Sequence, residues 1–171
     1  PEPFVRWLLA SNATDIQLLP SELSRDPIRA DAVIRLQSTN SILHLEFQTL
    51  PTSTPPLPLR MLDYWVRLYR QYECPIEQVV IFLQETTNNA AYTNQLSVGN
   101  TQHRYRVVRL WEQDAAPLLT NPALLPLAVL ARTDSSAALL EQVATQVDMI
   151  EEPQQQRNIS ACVEVLASLR F

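Results

Sequence analysis

Apolar and polar positions alternate cleanly between residues 28 and 37. Ile28, Ala30, Ala32, Ile34 and Leu36 fall on one parity, and Arg29, Asp31, Val33 and Arg35 on the other, which predicts a half-buried strand. Ser38-Thr39-Asn40-Ser41 reads as a turn. A second strand is expected over 42–49, with Leu43, Leu45 and Phe47 against His44, Glu46 and Gln48. Four prolines between 51 and 58 then break regular structure. The spacing of Met61, Leu62, Trp65, Leu68 and Tyr69 predicts an amphipathic helix over 59–72. A nearly continuous apolar run at 78–83 suits a central strand. Residues 88–102 read as polar loop with a hairpin edge near 92–98, and 105–111 as a further strand. Upstream, 4–9 reads as the end of a helix, and Ile16-Gln17-Leu18-Leu19 leads into a turn at 20–22. Beyond Asp114 the pattern is helical over 122–131, 135–150 and 154–170. The expectation is an α/β chain with a core over 1–114 and a helical extension over 115–171 packed on it.

Composition narrows the chemistry. Of 171 residues, 46% are hydrophobic and 18% charged, a globular balance with a net charge of -5. Gly99 is the single glycine, which excludes P-loops and dinucleotide fingerprints, because both need several glycines for close approach to phosphate. All 13 basic residues are arginine, so lysine Schiff-base chemistry is closed. The acidic balance argues against whole-surface binding of nucleic acid and leaves room for a local arginine patch. Two lone cysteines, Cys74 and Cys162, fit a reducing cytoplasm. No apolar run reaches the roughly 18 residues of a membrane span. The chain opens on Pro1 and closes within a helical pattern at Phe171, so a segment of a longer chain is expected.

If the two strands form a hairpin about Thr39-Asn40, Asp31 meets Gln48, Val33 meets Glu46 and Arg35 meets His44. Ala32 then meets Phe47 and Ile34 meets Leu45, so apolar faces match, whereas a one-residue slip would oppose polar to apolar. Asp31, Glu46 and Gln48 share a face within reach of one ion. Two carboxylates at such a separation can hold Mg²⁺, which takes oxygen ligands and keeps several waters. Such an ion can orient and polarise a phosphodiester. The same pattern also suits a polar outer strand face that holds no ion.

Asp31 on one strand followed by Glu46-Phe47-Gln48 on the next resembles the D…ExK signature of the PD-(D/E)XK nuclease superfamily. The local text is more specific: Arg29-Ala30-Asp31, then His44-Leu45-Glu46-Phe47-Gln48-Thr49, then Arg60-Met61-Leu62-Asp63-Tyr64. It is similar to the Rpn family of recombination-promoting, transposase-associated nucleases, in its cyanobacterial form. The resemblance implies a restriction-endonuclease-like mixed sheet flanked by helices, and endonucleolytic cleavage of DNA with Mg²⁺ or Mn²⁺. It implies Asp31 and Glu46 as metal ligands, the Phe47 carbonyl as another, and Gln48 in the lysine position. Gln48 can orient a water but carries no charge, so Arg29, Arg35 or Arg60 is a candidate to supply it. A homodimer is implied by likeness to related nucleases.

Other residues have two readings each. Arg60, Tyr64 and Arg67 fall on one helix face that either grips phosphate or is simply solvated. Glu22 is either an accessory acid or the first-turn acid of a short helix. His44, on the face of Glu46, either supports that acid from behind or is a solvent-facing strand residue; His103 is expected at the surface, and Trp65, Tyr69, Tyr72 and Trp111 at core spacing. Arg104, Arg106 and Arg109 form a basic run without a common stripe. The competing function is a nuclease fold kept as an interaction module, with a leucine-rich surface over 118–140 making the contact.

Overall fold

A parallel strand pair joined by a long helix organises the first part of the chain. The computed structural model describes residues 1–10, 12–23 and 28–170, apart from the side chains of residues 22, 23 and 28. Two compact units emerge: residues 1–82 with 86–108, and residues 83–85 with 109–171.

The first unit begins with helix α1 (Glu2–Leu9) and strand β1 (Ile16–Leu19). Two short strands, β2 (Glu22–Leu23) and β3 (Ile28–Arg29), pair with each other. Strand β4 (Ala32–Leu36) and strand β5 (Ser41–Gln48) precede helix α2 (Leu57–Tyr72) and strand β6 (Ile76–Phe82). A hairpin of β7 (Gln95–Val98) and β8 (Thr101–Arg104) turns at Gly99, whose φ of 57° suits its missing Cβ. Strand β9 (Arg106–Arg109) completes a mixed sheet of order β1-β4-β5-β6-β9. The β1/β4 and β4/β5 pairs are antiparallel and β5/β6 is parallel. A parallel pair needs a crossover, and α2 supplies it. Pro58 lies in the first turn of that helix, where its missing N–H is no loss, and Glu73 ends it in the left-handed conformation.

Three expectations change here. The strand read over 28–37 breaks at Ala30-Asp31, because its two halves serve different partners: Ile28–Arg29 pairs with β2, and Ala32–Leu36 with β1 and β5. The N–H of Ala30 donates to the Ser21 carbonyl at 3.0 Å, anchoring the break. The hairpin register is also shifted by two residues: Ala32 pairs with Leu45, Val33 with His44 and Arg35 with Ile42. The connection is a 3₁₀ turn at Gln37–Thr39 followed by Asn40 at φ 46°, which centres the turn earlier than expected. A two-residue shift keeps every side chain on its face, so matching parities could not detect it. Finally, β5 is buried on both faces, from Ile42 through Glu46. The face expected to be solvated lies under α2, which buries Leu57, Met61, Tyr64 and Leu68. Tyr64 therefore replaces Trp65 and Tyr69 in the buried stripe. Trp65 and Tyr69 stack on each other with ring centroids 5.0 Å apart, and Tyr69 is exposed.

The second unit is helical: α3 (Ala116–Leu119), α4 (Leu125–Ala128), α5 (Ser136–Asp148) and α6 (Pro153–Ala167). Ser135 caps α5 by accepting from the Ala138 N–H at 3.3 Å, and Glu152 caps α6. Arg170 donates to the carbonyls of Val129 and Ala131 at 2.9 and 2.7 Å, closing the C-terminal end of α4. Leu118, Leu124, Leu125, Leu127, Leu130 and Leu139 are buried. The leucine-rich segment expected to be an interaction surface is thus largely the core of this unit. Cys74 is buried, Cys162 exposed, and neither is in a disulfide. Among the described residues, no helix is long and apolar enough to cross a membrane.

Candidate functional site

The break between β3 and β4 is what sets Asp31 beside Glu46. Asp31 precedes the first β4/β5 rung, so its backbone is free of the ladder. Its N–H donates to Glu46 Oε1 at 3.1 Å, and in return the Phe47 N–H donates to Asp31 Oδ2 at 2.7 Å. Each acid is held by the backbone of the other's strand. This reciprocal lock brings together two carboxylates of unlike burial: Glu46 is 4% exposed, whereas Asp31 is open on one side. Partial burial pushes the Asp31 carboxyl above its ordinary value. The Phe47 hydrogen bond opposes this, the Glu46 charge adds to it, and the Arg60 guanidinium opposes it more weakly.

Arg60, from the first turns of α2, reaches the same place. Its Nη2 donates to Gln48 Oε1 at 2.7 Å and lies 3.6 Å from Glu46 Oε2. Among the described residues its buried Nε has no hydrogen-bond partner. Gln48, at the end of β5, is half-buried.

Behind Glu46 runs a line of buried polar groups. His44 is fully buried, its Nε2 3.1 Å from Glu46 Oε1 and its Nδ1 2.9 Å from Gln78 Nε2. Gln78 Nε2 also donates to the Met61 carbonyl at 3.0 Å, and Gln78 Oε1 lies 2.7 Å from His103 Nε2. The Tyr64 ring packs edge-on against His44, with centroids 4.9 Å apart. Burial lowers the His103 pKa.

The other expected site residues scatter. The Tyr64 hydroxyl is not on a solvated or phosphate-facing surface; it donates to the Arg29 carbonyl at 2.9 Å, and the residue is 4% exposed. Burial, then the Glu46 charge, pushes it up to about 12, so it remains a donor at neutral pH. Tyr64 thereby ties the segment just before Asp31 to α2. Tyr64→Phe is expected to cost about 1 kcal/mol by leaving the Arg29 carbonyl without this donor. Differential scanning calorimetry should show a Tm lower by about 2–4 °C. Arg67 pairs with Asp63 at 3.0 Å along its own helix. Arg29 is exposed. Arg35 is held at the hairpin end by Asn40, at 3.2 Å. Glu22 belongs to β2 rather than to a helix, and its side chain lies outside the described residues. Arg106 donates to the Leu8 carbonyl, and Arg109 pairs with Glu112 at 2.8 Å. His103 is drawn inward, contrary to expectation, and of the two readings of His44 the structure shows the one behind Glu46 rather than the solvent-facing one.

Gln78 is a site residue that the sequence pattern marks only by its polarity. It opens the apolar run over 78–83 as its polar member, and a buried amide demands partners. That signal was present in the sequence and names no partner by itself.

The donors at the acids are oxygens: two carboxylates and the backbone of Phe47. In an extended strand one residue's N–H and C=O project to the same edge, so the Phe47 carbonyl faces the Asp31 side. This set suits a hard cation such as Mg²⁺, which needs only one or two carboxylates and retains waters. Among the described residues, no group of three or more His, Cys, Asp or Glu side chains converges as a metal cluster. Compared with protein-family models, curated proteins and solved structures, the chain matches none.

Proposed function

We propose that the chain is a Mg²⁺-dependent DNA endonuclease with a restriction-endonuclease-like core, of the kind its D…ExQ text resembles. The observation that carries this reading is the reciprocal lock of Asp31 and Glu46. Two acids held at one place by opposing backbones are costly to a fold, and a bound cation is a reason to keep them. Asp31, Glu46 and the Phe47 carbonyl would hold the ion, with Mn²⁺ as a substitute. When bound, Mg²⁺ supplies Lewis-acid polarisation of the scissile phosphate. The chain's own residues do the rest. Gln48 keeps an amide beside the acids that can orient a water. Arg60 brings the positive charge that Gln48 lacks, from α2 rather than from β5, where it can offset charge developing on phosphate.

Nicking of supercoiled plasmid tests the reading. The folded protein should convert plasmid to open circles with Mg²⁺ and not with EDTA, and Glu46→Gln should lower the rate about 100-fold or more. Loss of a partner behind a ligand already costs 10–100-fold, so loss of a ligand costs at least as much. A silent wild type with both Mg²⁺ and Mn²⁺, or a Glu46→Gln variant as active as wild type, would overturn it.

A further inference from the structure

Both amide protons of Gln78 have acceptors, and this fixes the protons along the buried line. The amide Nε2 carries two protons, one directed to the Met61 carbonyl at 3.0 Å and the other to His44 Nδ1 at 2.9 Å. Turning the amide over would set its oxygen against the Met61 carbonyl, two acceptors with no proton between them. His44 Nδ1 must therefore accept. The ring proton then sits on Nε2, which donates to Glu46 Oε1. On the far side Gln78 Oε1 lies 2.7 Å from His103 Nε2, which serves as its donor once Met61 has set the amide. Glu46 Oε1 is thus occupied twice, by His44 and by the Asp31 N–H, and the carboxylate cannot rotate without breaking both.

We propose that Gln78 is a positioning residue: held by Met61 and His103, it fixes the His44 tautomer that clamps Glu46 by Oε1 and leaves Oε2 to face the shared site. This rests on the reading of Asp31 and Glu46 as a cation site. None of these residues beyond Glu46 touches the reacting groups, so the control is transmitted through one imidazole.

Ring-nitrogen NMR on ¹⁵N-histidine-labelled protein, without metal, tests the tautomer directly. His44 should show a protonated Nε2 and an unprotonated Nδ1. Gln78→Met, which keeps the length and removes the donor, should release that preference. Gln78→Glu, which replaces the donor by an acceptor, should place a proton on Nδ1. Mn²⁺ titration of the same samples should show about 10-fold or greater weakening in both variants. A wild-type His44 protonated on Nδ1 overturns the inference, as does an unchanged His44 spectrum in either variant. Unchanged Mn²⁺ affinity in variants whose tautomer has moved overturns it too. Should the tautomers move as expected while wild type binds no cation at all, the cation-site reading fails and the hydrogen-bond assignment alone survives. The wild-type spectrum needs no substitution, so a variant that unfolds does not spare the inference.

Discussion

Asp31→Asn should reduce nicking to below about 1% of the wild-type rate while raising the melting temperature. The loss follows from removing a ligand where loss of a mere supporting partner costs 10–100-fold. The gain follows from the carboxyl's own environment. Its folded pKa is raised above 3.8, chiefly by burial. Between the unfolded and folded values the native state binds a proton that the unfolded chain has released, so stability falls as pH rises through that window. Above the folded pKa the charge is a standing penalty, and below the unfolded pKa it vanishes. Asparagine removes the charge and can still accept from the Phe47 N–H through its amide oxygen. Calorimetry should find the variant more stable than wild type at neutral pH, with the gap closing in acid. A variant less stable at neutral pH would show that the charge at Asp31 supports the fold, contrary to this account.

Arg60→Ala is the second large effect. Glu46 is buried, and the Arg60 guanidinium lies 3.6 Å from its Oε2. Removing one member of a buried pair costs 3–5 kcal/mol. The Arg60 side chain is 21% exposed and water screens part of the pair, so about 2–3 kcal/mol is expected here. That corresponds to a Tm lower by roughly 5–10 °C. Nicking should fall by about 100-fold as charge stabilisation is lost. Adding Gln48→Lys to Arg60→Ala returns a cation to the strand position and should recover most of the rate, with less recovery of stability. Failure of the double variant to exceed Arg60→Ala in rate, with both folded, would show that Arg60 acts through its geometry rather than its charge.

Some of this was legible in the residues alone. The parity of Asp31, Glu46 and Gln48 put them on one face, and the proline cluster followed by a helix and an apolar run described the β5–α2–β6 crossover. The offset between β4 and β5 was not legible, since registers two apart match faces equally well and only the turn at Gln37–Asn40 chooses. Asp31 therefore lies opposite the region of Glu46 rather than Gln48. The burial of His44 was hidden for a related reason. A polar parity reads as a wet face unless something covers it, and the cover is α2, whose inward Tyr64 looks less apolar than its outward Trp65. Hydrophobicity ranks the two side chains the wrong way round because a hydroxyl was needed at the Arg29 carbonyl.

The His44–Gln78 contact has one more consequence, for assembly of the sheet. These residues are direct partners in the parallel β5/β6 ladder. Most of their neighbours are interchangeable aliphatics, Leu43 and Leu45 on one strand and Val79, Val80 and Ile81 on the other. Sliding β6 by two residues would leave that apolar packing almost as good. It would also set His44 opposite Ile76 or Val80 and strand an imidazole, an amide and a carboxylate away from water. A single polar rung thus acts as the alignment mark for two otherwise slippery strands. The chain cannot close its central sheet correctly without at the same time assembling the support of Glu46.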